Sequence, residues 1–336
     1  MLTYIVRRLI LIAVVLVGLS ILTFTITRMI PADPVRLAAG PRASKQQVEA
    51  LRQQYGYDKP FVQQYFQYTS DLLHGDLGRS VVLQREVGPD LRRYFPATLE
   101  LVLTALLIAV ALGVPLGLIS AVYRDHWPDQ IARVVSLGGV SLPSFWLAIL
   151  LQIKIAFEMG WVPISGRFSR IAVPPESITG LYALDSLLTL NFGALRVALT
   201  YLILPALCLS FGALATVART VRADALEVLG TDYIRTARAI GIPESAVILK
   251  YTLKNASLNA LTQVGLFFGY TITGSVLVEN IFSWPGVGQY AVSRALEKDY
   301  VPLMGVTLLL GLAIVLVNLV TDLLYAVLDP RIRYAT

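Results

Sequence analysis

The two histidines, the single cysteine and the six lysines are the residues that could carry covalent, metal or phosphate chemistry, and none stands in a pattern that does so. His74 and His126 are isolated. No H-E-x-x-H, paired-cysteine or nucleophile-elbow arrangement surrounds them, so neither a metal-activated water nor an acyl transfer has its parts. No lysine follows a glycine, which removes the phosphate loop G-x-x-x-x-G-K and with it the usual way of binding ATP. A glycine-rich dinucleotide fingerprint is missing as well. Any nucleotide chemistry that serves this chain is therefore expected from a partner. Cys208 falls inside an apolar run and reads as a small packing residue.

What the charged residues do form is one concentrated stretch, Arg222 to Asn259, set between two long apolar runs. Leu226, Leu229, Tyr233, Ala237 and Ile240 recur at helical spacing, which predicts one helix with one apolar face. Gly241 can take a left-handed C-terminal cap, and Pro243 with Glu244 reads as the first turn of a second helix, the acid at the positive end of its dipole. Reconnecting two membrane spans needs only a few polar residues. A helix, a glycine bend and a second helix at that place are best explained as a docking surface for a cytoplasmic partner.

The elements that must position this stretch are membrane helices. With 336 residues, 56% hydrophobic and only 15% charged, the chain is too apolar for an ordinary soluble protein. Its mean hydropathy of +0.66 agrees. A crossing needs about 20 apolar residues, and the sequence predicts six: 9–30, 98–121, 133–157, 198–221, 257–281 and 303–327. The fold class expected is all-α, a polytopic bundle of six transmembrane helices. The net charge of +6 is spread along membrane-flanking segments and reads as topology rather than nucleic-acid binding. Arg7 and Arg8 precede an apolar run longer than a signal-peptide core, which predicts an uncleaved anchor with a cytoplasmic N-terminus. Six spans return the C-terminus, with Arg331 and Arg333, to the cytoplasm. The expected layout is a first span at 1–30, an extracytoplasmic helical domain at 31–97, a core at 98–327 that includes a cytoplasmic loop at 222–256, and a cytoplasmic tail at 328–336.

In the outer domain, Ser44 and Gln47 form a capping box for a helix through Tyr55. Pro60 opens another, whose Phe61, Gln64, Tyr65, Tyr68 and Leu72 share one side before Gly75 ends it. That aromatic side suits either a partner, the mouth of the bundle, or packing of the two helices on each other. In the core, Gly113 and Gly117 stand at close-packing spacing around Pro115, and Gly138, Gly139 and Pro143 predict a bend in the third span. Lys154 and Glu158, one turn apart, read as a snorkelling pair. The segment from Gly160 to Arg196 shows no strong periodicity. Gly265 and Gly269 repeat the packing spacing before Thr271, Thr273, Gly274 and Ser275, a small hydroxylated face that suits packing or a weakly polar wall for a passing solute. Glu279, Asn280 and Trp284 head a glycine-rich turn and are candidates for the outer gate or interface. Asn318 and Asp322, a turn apart in the last span, read as a structural anchor.

These residues together resemble a known family. YIVRRL at 4–9, MIPADP at 29–34, YGYDKP at 55–60, HGDLGRS at 74–80, PATLEL at 96–101, DYIRTARAIG at 232–241, ENIFSWPGVGQYAV at 279–292 and DLLYAVLDPRIR at 322–333 follow the order and spacing of the B-type permease subunit of bacterial dipeptide, oligopeptide and nickel ABC importers. The resemblance implies the type I ABC importer fold and a place in the bacterial inner membrane. It implies that Tyr233, Ile234, Arg235, Thr236, Ala237, Arg238, Ala239, Ile240, Gly241, Ile242, Pro243 and Glu244 form a coupling segment seated in a groove of an ATPase subunit. Arg235 and Lys254 replace the glutamate and the final proline of the general pattern. Ile240 and Pro243 also depart from many members of the peptide branch.

The implied partners are a homologous second permease subunit, two ABC ATPase subunits that bind the ATP and magnesium, and an extracytoplasmic substrate-binding protein. The chain itself is expected to hold no cofactor and no metal, and to be no enzyme. The implied solute is a di- or oligopeptide, with nickel, glutathione or an oligosaccharide as alternatives. An ion-coupled secondary transporter is a lower-ranked reading, because Asp322 and Lys154 at opposite ends of their spans make no ion site.

Overall fold

A computed structural model of the chain describes residues 2–29, 34–40 and 42–328. The elements in order are α1 (Leu2–Met29), α2 (Pro34–Ala39), α3 (Lys45–Gln54), α4 (Phe61–Leu73), α5 (Val87–Val122), α6 (Trp127–Ser141), α7 (Ser144–Leu151), α8 (Tyr182–Leu188), α9 (Phe192–Leu229), α10 (Asp232–Ala239), α11 (Glu244–Ala246), α12 (Leu253–Ile281), α13 (Val287–Leu296) and α14 (Tyr300–Leu328). π-helical turns continue α7 over Gln152–Glu158 and join α11 to α12 over Val247–Thr252. Among the described residues no strand forms beyond one isolated bridge between Arg79 and Glu86, so the architecture is all-α.

By length and composition, among the described residues four helices are able to cross a membrane: Val6–Met29, Val87–Val122, Phe192–Leu229 and Tyr300–Thr321. A fifth is added if α6 and the helix over Ser144–Glu158 are taken as one span broken by 107°. That break falls between Gly139 and Pro143, where the sequence predicts a bend; Leu142, before the proline, takes an extended conformation. The span expected at 257–281 corresponds to α12, a helix of 29 residues in which the side chains at 258, 261, 262 and 264 lie outside the described residues.

One compact unit comprises Met1–Pro96 and Gly286–Leu316. The capping box forms as expected, Ser44 Oγ accepting from Gln47 N at 3.2 Å and Gln47 Oε1 from Ser44 N at 2.9 Å. Pro60 is the N-cap of α4. The aromatic side of α4 lies on α1: the rings of Phe61, Tyr65 and Tyr68 surround buried Phe24 at 5.3, 5.4 and 5.4 Å. A bond of 3.0 Å between the Ser20 and Tyr65 hydroxyls adds to this contact. Burying such rings is the main attraction holding α4 in place, each aromatic pair adding about 0.5–1.5 kcal/mol beyond its area. Helix α5 starts at Val87, not at Thr98 as hydropathy predicts. Asp90, Arg92 and Arg93 hide its first turns from an apolar window, while Val87 and Leu91 join Val287, Tyr290 and Val306 in a buried cluster. Asp299, wholly buried, accepts from the Ser80 hydroxyl and from Val81 N.

The second unit comprises Ala97–Pro285 and Val317–Thr336. Helix α9 is its centre, packed by α5, α6, α7, α8 and α12. It begins at Phe192, ahead of the expected Ala198, because Asn191 caps it by accepting from Ala194 N at 3.0 Å. Glycines set the approach distances. A Cβ on Gly117 would stand 2.4 Å from the Ala218 carbonyl oxygen, and one on Gly139 would stand 2.5 Å from Ala215 Cβ. Gly113 is nearly as tight, 3.0 Å from the Leu214 oxygen, so the predicted close packing of α5 is made against α9. Gly265 packs in the same way on Thr321. Cys208 is buried in this helix, as expected of a packing residue.

Candidate functional site

The candidate coupling segment follows the lower end of α9. Sequence periodicity predicts a single helix through Leu226, Leu229, Tyr233, Ala237 and Ile240, and the structure corrects this. The helix ends at Leu229, Gly230 and Thr231 break it, and α10 starts with Thr231 as its extended N-cap. The break resets the phase of the apolar stripe. Ile234 and Ala237, not Tyr233 and Ile240, are buried, and they pack with Val247, Val228, Leu229, Ile242 and Tyr251. Tyr233 is 45% and Ile240 71% exposed. Arg235, Thr236, Arg238 and Ala239 are exposed with them.

Gly241 takes φ +82°, the left-handed cap that the sequence predicts, and an added Cβ would meet nothing within 4 Å. The glycine is therefore required by backbone conformation rather than by space. Pro243 N-caps α11, and Glu244 occupies its first turn. Arg238 donates to Glu244 across the bend, Nη2 to Oε1 at 2.6 Å and Nε to Oε2 at 3.1 Å. This bond holds the Glu244 carboxyl below the usual carboxylate range and the Arg238 guanidinium above its own. Asn255 Nδ2 donates to the Tyr233 hydroxyl at 3.1 Å, fixing the ring from the side of α12. The result is a short amphipathic element whose inner face is anchored and whose outer face carries the exposed side chains of Tyr233, Arg235 and Ile240.

Above it lies an ionic joint that sequence reasoning missed. Asp129, fully buried, accepts from Ser120 Oγ at 2.5 Å, Arg133 Nη2 at 2.5 Å, and Arg222 Nε and Nη2 at 2.7 and 2.9 Å. It thereby joins α5, α6 and α9 at the root of the segment. The only local signal is an aspartate following Trp127 and Pro128 at a helix start. Its partner Arg222 is 93 residues away, beyond any periodicity.

The other candidate residues separate. Thr271 and Gly274 line a cavity of about 330 Å³ with Tyr270, Gly139 and Phe267. Ser275 is buried and donates to Ile272 O and to Glu279 Oε1. Thr273 is exposed and bonded to Gly269 O. The four are therefore not one wall. Glu279 and Trp284 are buried at the head of α12, Glu279 accepting from Thr98 Oγ1 at 2.7 Å and Trp284 Nε1 donating to Ala97 O at 2.8 Å. Asn280 is exposed. Nearby, the segment that showed no periodicity is ordered by two acids. Glu100 takes Arg167 at 2.6 Å, with the guanidinium 3.9 Å over Tyr182. Asp185 accepts from Thr179 Oγ1 at 2.6 Å and from the backbone of Ile178, Thr179 and Gly180. Lys154 and Glu158 pair at 2.9 Å on an exposed face, as expected. The side chain of Asp322 lies outside the described residues, as do Arg331 and Arg333.

Comparison with known proteins places this geometry. Residues 113–334 match the family described as the binding-protein-dependent transport system inner membrane component, and residues 1–102 match the N-terminal counterpart of that family. An Escherichia coli K12 protein named as a probable D,D-dipeptide transport system permease is 46% identical over 318 residues, covering 95% of this chain and 94% of its own. A dipeptide transport system permease of Alkalihalophilus pseudofirmus is 40% identical over 334 residues, 99% of this chain and all of the relative. A glutathione transport system permease of Escherichia coli O6:H1 is 38% identical over the same length and coverage. The resemblance read from the sequence motifs is thus borne out along the whole chain. The chain belongs to the family of binding-protein-dependent transport system inner membrane components, and is a multi-pass membrane permease of the ABC importer type that works with other subunits.

Proposed function

We propose that this chain forms half of a translocation pathway for di- or oligopeptides. A homologous permease would complete the pathway, an extracytoplasmic binding protein would deliver the solute, and two ATPase subunits holding ATP and magnesium would drive the cycle. The observation that carries the reading is the form of α10 and its bend: anchored beneath by Ile234 and Ala237, exposed above at Tyr233, Arg235 and Ile240. Closure of the ATPase pair on ATP would carry this element with it and switch the bundle between inward-facing and outward-facing states. In this reading α12 supplies a sixth crossing, both termini are cytoplasmic, and the domain between α1 and α5 faces outward.

The peptide assignment rests on the names of the relatives, and the glutathione permease among them keeps a tripeptide thiol as a second reading. The test is uptake of labelled dipeptide, D,D-dipeptide and glutathione by vesicles holding the full assembly. Uptake that needs ATP and fails with Ile240→Asp supports the proposal. Uptake by vesicles that hold this chain without any ATPase overturns it.

A further inference from the structure

A cavity of about 580 Å³ lies within the first unit, and the reading above gives it no part. Its volume is that of a small-molecule site. Its wall includes Arg28 of α1, Gln64, Tyr68 and Asp71 of α4, and Arg52 and Arg79 from flanking segments. Four side-chain atoms on three of these residues are buried and have no hydrogen-bond partner among the described residues: Arg28 Nε and Nη1, Tyr68 Oη and Gln64 Oε1.

Such atoms are rare in native proteins, because a buried polar group left unpaired loses its bonds to water and gains none in return. Together on one cavity wall they set unpaired donors and an acceptor around a single space. Arg28 is also preset. Its guanidinium lies 3.9 Å over the Tyr57 ring and 5.2 Å from the Phe24 centroid, which fixes its plane while Nε and Nη1 have no acceptor among the described residues. Gln64 is fixed by its amide nitrogen, which donates to Lys59 O at 2.7 Å. Burial, then the neighbouring Tyr65, push the Tyr68 phenol up to about 12, so it remains a proton donor at neutral pH.

The donor set specifies the ligand. Arg28 and Tyr68 offer N–H and O–H to an anion, whereas the Gln64 oxygen and the Asp71 carboxylate accept from an ammonium or amide N–H. We propose that this cavity is a binding site for a small zwitterionic group, a carboxylate or phosphate with an amine close by, held by Arg28, Tyr68 and Gln64. Two sources supply that chemistry: an amino acid or short peptide, and the ethanolamine phosphate headgroup of a membrane lipid. The site and the coupling segment belong to different units of the chain, and the proposal does not depend on which solute is transported.

The test uses the purified full-length chain in maltoside micelles, which carry no phosphate or amine. Saturable binding and a rise in thermal midpoint are measured with dialanine, with dialanine lacking its amine or its carboxylate, with phosphoethanolamine and with inorganic phosphate. Binding of dialanine or phosphoethanolamine, weakened at least about ten-fold by Arg28→Lys and by Tyr68→Phe, supports the site. Dialanine alone would identify a solute, and phosphoethanolamine alone a lipid headgroup. Tyr68→Phe without ligand should be as stable as the parent or more so, since it deletes an unpaired buried hydroxyl. No saturable binding of any probe, or binding unchanged in both variants, overturns the proposal. Either result leaves the transport reading to be decided by uptake.

Discussion

Arg238 closes onto Glu244 across the Gly241 bend with two bonds, 2.6 and 3.1 Å long, so the two short helices of the coupling segment are tied by a side-chain clasp. Both partners are about half exposed, and such pairs add at most about 1 kcal/mol to stability. We expect Glu244→Gln to leave the thermal midpoint of the purified chain nearly unchanged while lowering ATPase stimulation in the assembly. Equal losses of both would refute a positional role for the clasp.

Gly241→Pro should do more. The φ of +82° is closed to proline, so the bend must reorganise. Membrane insertion and pairing with the second permease subunit should persist in a co-purification, while stimulation of ATP hydrolysis by loaded binding protein is abolished in reconstituted vesicles.

Asp129 is the load point of three helices, and removing it takes the acid from Arg222 while Arg133 keeps its bond to Asp125. Taking one partner from a buried ion pair costs about 3–5 kcal/mol, so Asp129→Ala should lower the thermal midpoint sharply and reduce the folded yield. Arg133→Ala should be much milder, because that side chain is 41% exposed and Arg222 still neutralises the acid. Similar losses in the two variants would contradict this division.

Gly117→Ala is expected to destabilise by about 1–3 kcal/mol, since its methyl would meet the Ala218 oxygen at 2.4 Å. Gly138→Ala, with nothing within 4 Å of the new methyl, is the control. Thermal midpoints of the two variants, measured in the same detergent, decide it.

Two buried acids, Asp299 and Asp185, should respond to pH with opposite sign. Burial raises the Asp299 carboxyl above its ordinary 3.8, so the unfolded chain ionises first and stability falls as pH rises above 3.8 toward the raised value. Burial also acts on Asp185, but the bonds from Thr179, Gly180 and Ile178 outweigh it and lower that carboxyl. Its contribution is present above 3.8 and is lost as pH falls through the lowered value. Asp299→Asn should therefore raise the midpoint at pH 7, and Asp185→Asn should reduce it. Unfolding curves from acid to neutral pH test both directions.

Much of the fold was legible because its causes are local. Ser44 with Gln47, Pro60 before Phe61, the left-handed Gly241 and the break before Pro143 each act within a few residues, and each is found where the sequence puts it. The packing glycines were legible by spacing, though only the structure shows that Gly113 and Gly117 meet α9. Misreadings came where charge or phase hides the pattern. Asp90, Arg92 and Arg93 concealed the start of α5, and the Gly230 break shifted the buried stripe of α10 from Tyr233 to Ile234. The long-range polar joints, Asp129 with Arg222 and Glu100 with Arg167, leave no periodic trace because their partners are brought together only by folding.

The glycine contacts between α5 and α9 limit how the bundle can flex. With Gly113 and Gly117 leaving no room for a Cβ against the carbonyl ridge of α9, and Ser120 and Arg222 sharing one acid just beyond, that seam is both closely packed and tied. We expect the two rods to move as a single strut, so that any opening and shutting hinges at its flanks, of which the 107° break ahead of Pro143 is the clearest bend.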